Sequence, residues 1–214
     1  MSLIRKATPA FALAALVFAT GSASAQVYIG AALGQSSTSF NSSDFNLGVP
    51  GVSQSEDKTD SAFKLNVGYN FNRTWAVEGG YADLGKPQVN YTGTGALAGA
   101  SGQAEVKQKA WFLAGKGTLP INERFNVFGK LGITWNRAEL TASSNSAAFN
   151  AAAGLPASRS KNKTDALVGI GAGYALTKQA EVRVEYEDFG KFGDSGSTGR
   201  TRAKLWSVGL NYAF

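Results

Sequence analysis

A chain of 214 residues with 21 Lys+Arg, 15 Asp+Glu, 26 Gly and neither Cys nor His has the length of one domain. Its composition excludes disulfides, thiolate chemistry, Cys-anchored lipid, His metal ligands and His-based triads. A charged fraction of 17% beside 43% apolar residues excludes a disordered chain.

Residues 1–25 read as a removable leader. Arg5 and Lys6 precede an almost wholly apolar run from Ala7 to Thr20, and small residues follow, ending Ala23-Ser24-Ala25. These are the three regions of a secretory signal peptide. A retained anchor would need about 20 apolar residues and a charged stop after them, and the sequence has neither. Cleavage is expected between Ala25 and Gln26, leaving residues 26–214 as one exported domain with 19 basic and 15 acidic side chains. The resulting net charge of +4 is too mild to imply nucleic acid.

The remainder holds no second helix-length apolar run, because stretches such as Ala110–Ala114 are soon broken by Lys or Gly. Alternation with a period of two takes its place. In chain order the apolar rows are Val27-Ile29-Ala31-Leu33, Phe63-Leu65-Val67-Tyr69-Phe71, Trp75-Val77-Gly79-Tyr81 and Trp111-Leu113-Gly115-Leu119. Then come Val127-Gly129-Leu131-Ile133-Trp135, Ala166-Val168-Ile170-Ala172-Tyr174-Leu176, Val182-Val184-Tyr186 and Trp206-Val208-Leu210-Tyr212-Phe214. The complementary rows carry Gly, Ala, Asn, Ser and a few charges of both signs, with Phe112 and Leu167 breaking the pattern. The count is eight strands.

A soluble barrel or sandwich would turn the apolar rows inward and cover the other face with Lys, Glu and Thr. Here the second face is small and sparsely charged, which suits the crowded interior of a narrow eight-stranded barrel. The apolar rows carry Trp75, Trp111, Trp135 and Trp206, with Tyr69, Tyr174 and Tyr212, as interfacial girdles require. The pattern therefore predicts an all-β fold, an eight-stranded antiparallel up-and-down transmembrane β-barrel with its apolar face in lipid. Trp75 is placed toward the periplasmic rim and the other three tryptophans toward the outer rim. Short connections at 71–74, 119–124 and 175–180 alternate with long polar ones at 35–60, 83–107, 138–164 and 187–203. That is the alternation of periplasmic turns and external loops. Ser36, Ser37, Ser39, Ser42 and Ser43 are read as solvated loop residues, and Lys58 among Glu56, Asp57 and Asp60 leaves no calcium site to argue for.

Gly80-Tyr-Ala-Asp-Leu-Gly-Lys86 matches Glu185-Tyr-Glu-Asp-Phe-Gly-Lys191 at an offset of 105 residues. Duplication and convergence of lipid-facing hairpins both explain so short a match. The Asp-Leu/Phe-Gly-Lys ends are read as strand exits.

Tyr28–Gly34 resembles the first strand of the OmpA-type transmembrane domain, Val77–Gly85 its third and Ala114–Ile121 its fourth. Val182–Tyr186 is similar to the seventh strand and Ser207–Phe214 to the last, in the correct order. The resemblance implies a mostly plugged barrel in a Gram-negative outer membrane, read by the barrel-assembly machinery through the terminal aromatic Phe214. The family's larger members continue past the barrel into a peptidoglycan-binding domain, so a barrel-only relative is expected here.

The inward rows place Glu78, Lys116, Lys130, Arg183 and Glu185 near mid-strand, where charge must be paired or wetted. In the family, residues matching Glu78, Lys116 and Arg183 belong to an ion-pair network that blocks and gates the lumen. Its second acidic member aligns with Gly173, and Glu185 is expected to supply the missing charge. Structural glue is commoner than a gate. No inward Ser is placed beside the Lys cluster, so no Ser–Lys catalytic site is expected, and neither cofactor nor metal is implied. Two functions remain: a monomeric structural and surface-displayed barrel in outer-membrane lipid, with no loop partner identified, or a small low-conductance porin.

Overall fold

The computed structural model describes residues 26–40, 52–94, 98–145, 158–193 and 200–214. Ala25, Ser42 and Ser43 lie outside them. Among the described residues there are ten strands: β1 (Gln26–Phe40), β2 (Val52–Asp57), β3 (Thr59–Asn70), β4 (Trp75–Asp83), β5 (Gln88–Gly93), β6 (Ser101–Pro120), β7 (Phe125–Ser144), β8 (Ser158–Ala175), β9 (Ala180–Phe192) and β10 (Thr201–Ala213). Eight of them close a ring through antiparallel pairs β1–β3, β3–β4, β4–β6, β6–β7, β7–β8, β8–β9, β9–β10 and β10–β1. Closure leaves no lipid-facing sheet edge, which hydrocarbon would not tolerate.

The side chains follow the alternation. Leu33, Leu65, Val67, Leu131, Ile170 and Val208 are exposed on the outer face, whereas Lys64, Asn66 and Glu78 are buried within. An aromatic ring marks each end of this belt. Toward the long connections Phe63, Tyr81 and Trp111 stack in series at 6.0 and 5.1 Å, Trp135 pairs with Trp111, and Tyr186 meets Trp206 at 5.0 Å. At the short-turn end Tyr69 packs on Phe71 and Tyr212 on Phe214, with Trp75 and Tyr174 on the same rim. From Phe63 to Phe71 is nine residues, close to the ~9–11 of a tilted spanning strand.

The structure departs from the sequence reading above the outer ring. Much of what composition marked as loop is strand: β1 runs to Phe40, β6 begins at Ser101, β7 ends at Ser144 and β8 starts at Ser158. β2 and β5 are further additions, with β5 pairing to the outer part of β6 and β2 pairing to β5. Polar Ser, Thr, Gln and Lys on the outer faces hid these extensions, because beyond the bilayer a strand has water where lipid had been. Ser36 is correspondingly no solvated loop residue; it is buried, and its hydroxyl donates to the Leu84 carbonyl at 2.6 Å. Ser37 and Ser39 are exposed.

The interior is charged in its turn-side half, and beyond that it mixes apolar side chains with a few neutral polar ones such as Thr38, Gln108, Asn136 and Thr201. Toward the outer end it is filled by Leu84, Phe112, Leu140, Leu167, Phe189, Phe192 and Leu205, with alanines between them. Two of these, Leu84 and Phe189, are each followed directly by an equivalent bulge. Gly85 (φ 80°) and Gly190 (φ 70°) adopt the left-handed conformation that only Gly takes cheaply. Asp83 accepts from the Gly85 amide at 3.1 Å and Asp188 from the Gly190 amide at 2.9 Å. On the neighbouring strand Asp60 accepts from the Lys86 amide at 2.7 Å, and Asp165 from the Lys191 amide at 2.9 Å. Leu84 and Phe189 continue the inward rows of Glu78 and Glu187, and beyond the bulges the parity shifts so that Val89 and Phe192 also point inward. The repeated Asp-x-Gly-Lys segments are bulges that set the plug, not only strand exits.

Candidate functional site

Large charged side chains enter this narrow lumen because the neighbouring strands offer small residues opposite them. Glu78 faces Gly68 and Ala114 in register, Arg183 faces Gly173 and Gly209, and Glu187 faces Gly169. A β-carbon on Gly68 would lie 2.1 Å from the Tyr28 ring, and one on Gly171 would lie 2.5 Å from Phe128. The glycine rows make room for the contents of the lumen.

Those contents form two connected layers. In the upper one Lys130 Nζ donates to Glu78 at 2.5 Å, Glu185 at 2.7 Å and Glu187 at 3.1 Å. Lys64 Nζ donates to Glu185 and Glu187. The carboxylates of Glu78, Glu185 and Glu187 converge as a metal site's would, but the Lys130 ammonium holds all three. In the lower layer Arg183 donates to Glu78 at 3.1 Å and to Glu181, and the Tyr28 hydroxyl donates to Glu78 at 2.9 Å. Asn126 donates to the other Glu181 oxygen at 2.8 Å. The Lys116 ammonium sits 4.6 Å from the centre of the Tyr28 ring and 5.5 Å from that of Phe128.

All five lumenal residues picked from the sequence are buried, but they are not wired as expected. Glu185 bonds Lys64 and Lys130, not Arg183. The second carboxylate beside Arg183, besides Glu78, is Glu181, and it fills the space left by Gly173, whose β-carbon would lie 2.8 Å from the Glu181 carboxyl carbon. Lys64, Glu181, Glu187 and Tyr28 were missed. Glu181 and Glu187 share the inward row of Arg183 and Glu185, and Lys64 lies on the inward row of β3 with Asn66 and Gly68, so the period of two already contained all three. With them the buried and half-buried lumen charges balance: Lys64, Lys116, Lys130 and Arg183 against Glu78, Glu181, Glu185 and Glu187. Ser207, also missed, points inward opposite Glu185, and its hydroxyl has no hydrogen-bond partner among the described residues.

Above the ion pairs, Gln108 spans the lumen by accepting from Thr38 at 3.1 Å and donating to Thr201 at 2.8 Å. Phe112 and Phe189 then meet edge to face with centroids 6.0 Å apart. Below them a vestibule of about 770 Å³ opens between the short turns. Trp75, Trp111, Trp135 and Trp206 are 61, 62, 45 and 58% exposed on the lipid face, as are Tyr174 and Tyr212, while Tyr69 is half-buried. Phe214 is exposed beside Tyr212, and its amide donates to the Val27 carbonyl at 3.0 Å, fastening β10 to β1.

Residues 22–214 match the family described as the OmpA-like transmembrane domain. Outer membrane protein A of Serratia marcescens is 28% identical over 99% of this chain and 56% of its own length. The chain thus spans about half of that relative. Among solved structures, the attachment invasion locus protein Ail of Yersinia pestis, crystallised with the heparin analogue sucrose octasulfate, aligns with a TM-score of 0.52 at 19% identity, over 90% of this chain and all of that one. The N-terminal β-barrel domain of Pseudomonas aeruginosa OprF aligns with a TM-score of 0.48 at 10% identity, over 88% of this chain and 97% of that one.

Proposed function

We propose that this chain, which belongs to the OmpA-like transmembrane domain family and sits in the outer membrane of a Gram-negative bacterium, acts there as a sealed structural barrel that displays its long connections at the cell surface. One observation carries the proposal: the lumen is filled twice, by a charge-balanced ion-pair layer and by an apolar plug above it. An ion would have to break several charge-assisted hydrogen bonds and then pass a layer packed mainly with apolar side chains. The lumenal ionisable groups are engaged mainly with one another, which gives the barrel rigidity and offers no catalytic step. The lipid-facing belt anchors it, and the extended β6–β7 pair with β2 and β5 carries the display surface.

Two further parts of the proposal concern biogenesis. Residues 1–25 are removed on export, with Gln26 opening the mature chain, and Phe214 at the β10–β1 seam is read by the barrel-assembly machinery. The functional test is ion retention by vesicles that hold the folded protein. Proteoliposomes should keep a potassium gradient as long as protein-free vesicles do. Rapid dissipation that depends on folded protein would favour the low-conductance porin instead.

A further inference from the structure

The lower half of the lumen contains a cation that enters the charge balance but joins none of the ion pairs among the described residues. Among the buried lumenal cations, Lys64 and Lys130 are bonded to two and three carboxylates, and Arg183 to two. Lys116 is only 4% exposed, yet its ammonium has no carboxylate or hydrogen-bond acceptor among the described residues; what faces it are the Tyr28 and Phe128 rings. Aromatic faces attract a cation but accept none of its three N–H donors in the manner of oxygen. Lys116 lines the vestibule, which is large enough for a hydrated ion at about 770 Å³. Arg73, Arg124 and Lys178 stand round the same cavity against Glu123, while Glu181 and Arg183 neutralise each other within it. The vestibule is therefore a positively charged, one-ended cup, closed above by the ion-pair layer and open between the short turns that face the periplasm.

We propose that this cup binds a small soluble oxyanion of the phosphate or sulfate class from the periplasmic side, with Lys116 as its principal ligand. Such an anion has acceptor oxygens on every side and supplies what the ammonium lacks, whereas chloride offers a single centre. The site is independent of the sealed lumen, so its failure would leave the structural reading in place.

The test uses the folded barrel in micelles of a phosphate-free sugar detergent, at constant ionic strength set with sodium chloride. Inorganic phosphate should show a saturable broadening of its phosphorus resonance that sulfate reverses and added chloride does not. Lys116→Gln should weaken the interaction at least about tenfold, the scale of losing a charged hydrogen bond. A wild-type measurement stands beside the variant: phosphate, and not chloride, should slow acetylation of Lys116 by acetic anhydride, read by peptide mass. Absence of saturable broadening in the wild type, equal affinity in Lys116→Gln, or acetylation indifferent to phosphate would each overturn the proposal.

Discussion

Lys130 is the side chain on which the lumen most depends. Its ammonium is fully buried and donates to three carboxylates from two strands, whereas Lys64 serves two that Lys130 also holds. Removing one partner of a buried pair costs about 3–5 kcal/mol, mainly because the charge left behind stays buried. Lys130→Met, which leaves three carboxylates crowded together, should fall at the upper end of that range. Lys64→Met should cost clearly less, because Lys130 still bridges Glu185 and Glu187. Urea unfolding of micelle-folded barrels, followed by the shift in gel mobility, ranks the two; equal losses would mean that water and not Lys130 solvates these carboxylates. The inward rows were legible in the sequence down to single residues, since parity alone separates Lys64 and Glu78 from Leu65 and Val77. The wiring was not. Glu78 reaches Arg183 only through strand stagger, and although Glu181 is two residues from Arg183 on one strand, only the register shows that it fills the gap left at Gly173.

The elements carry a second regularity. Asp60 and Asp165, Asp83 and Asp188, and Gly85 and Gly190 all lie 105 residues apart and make the same hydrogen bonds. A lipid-facing pattern imposes no such clamp, so the match favours duplication of a four-stranded unit over convergence. The repeat was visible as a heptad of letters, but its meaning lay in Asp60 and Asp165 on the neighbouring strand, which no local pattern links to it. Gly85→Ala should destabilise the barrel by at least about 1–2 kcal/mol, because a β-carbon is disfavoured at positive φ. It would also lie 2.6 Å from the Asp60 carboxylate. Gly79→Ala, where the nearest atom would be 3.5 Å away, is the matched control and should change the urea midpoint little. The aromatic rings are tested at the same scale. All four tryptophans should be quenched by brominated lipids, and more strongly by bromines near the headgroups than by bromines at the chain ends, since each sits at a rim of the belt. A tryptophan quenched best from the bilayer centre would misplace that rim.

For the whole molecule the sequence reading gave the ring of eight strands, because alternation survives wherever two faces meet chemically different surroundings. It failed above the outer aromatic ring, where both surroundings change. Outside, water replaces lipid and the strand faces turn polar; inside, the apolar plug replaces the ion pairs, so Phe112 and Leu167 read as noise on a polar row when they are core. The two fillings are stacked and chemically independent, so either one should suffice to block the lumen. The most direct measurement is single-channel recording of the folded barrel in a planar bilayer. Wild type and the single variants Glu78→Ala and Phe189→Ala should be electrically silent, and the double variant, with both fillings opened, should show discrete openings. Stable openings from the wild-type barrel would contradict the sealed lumen.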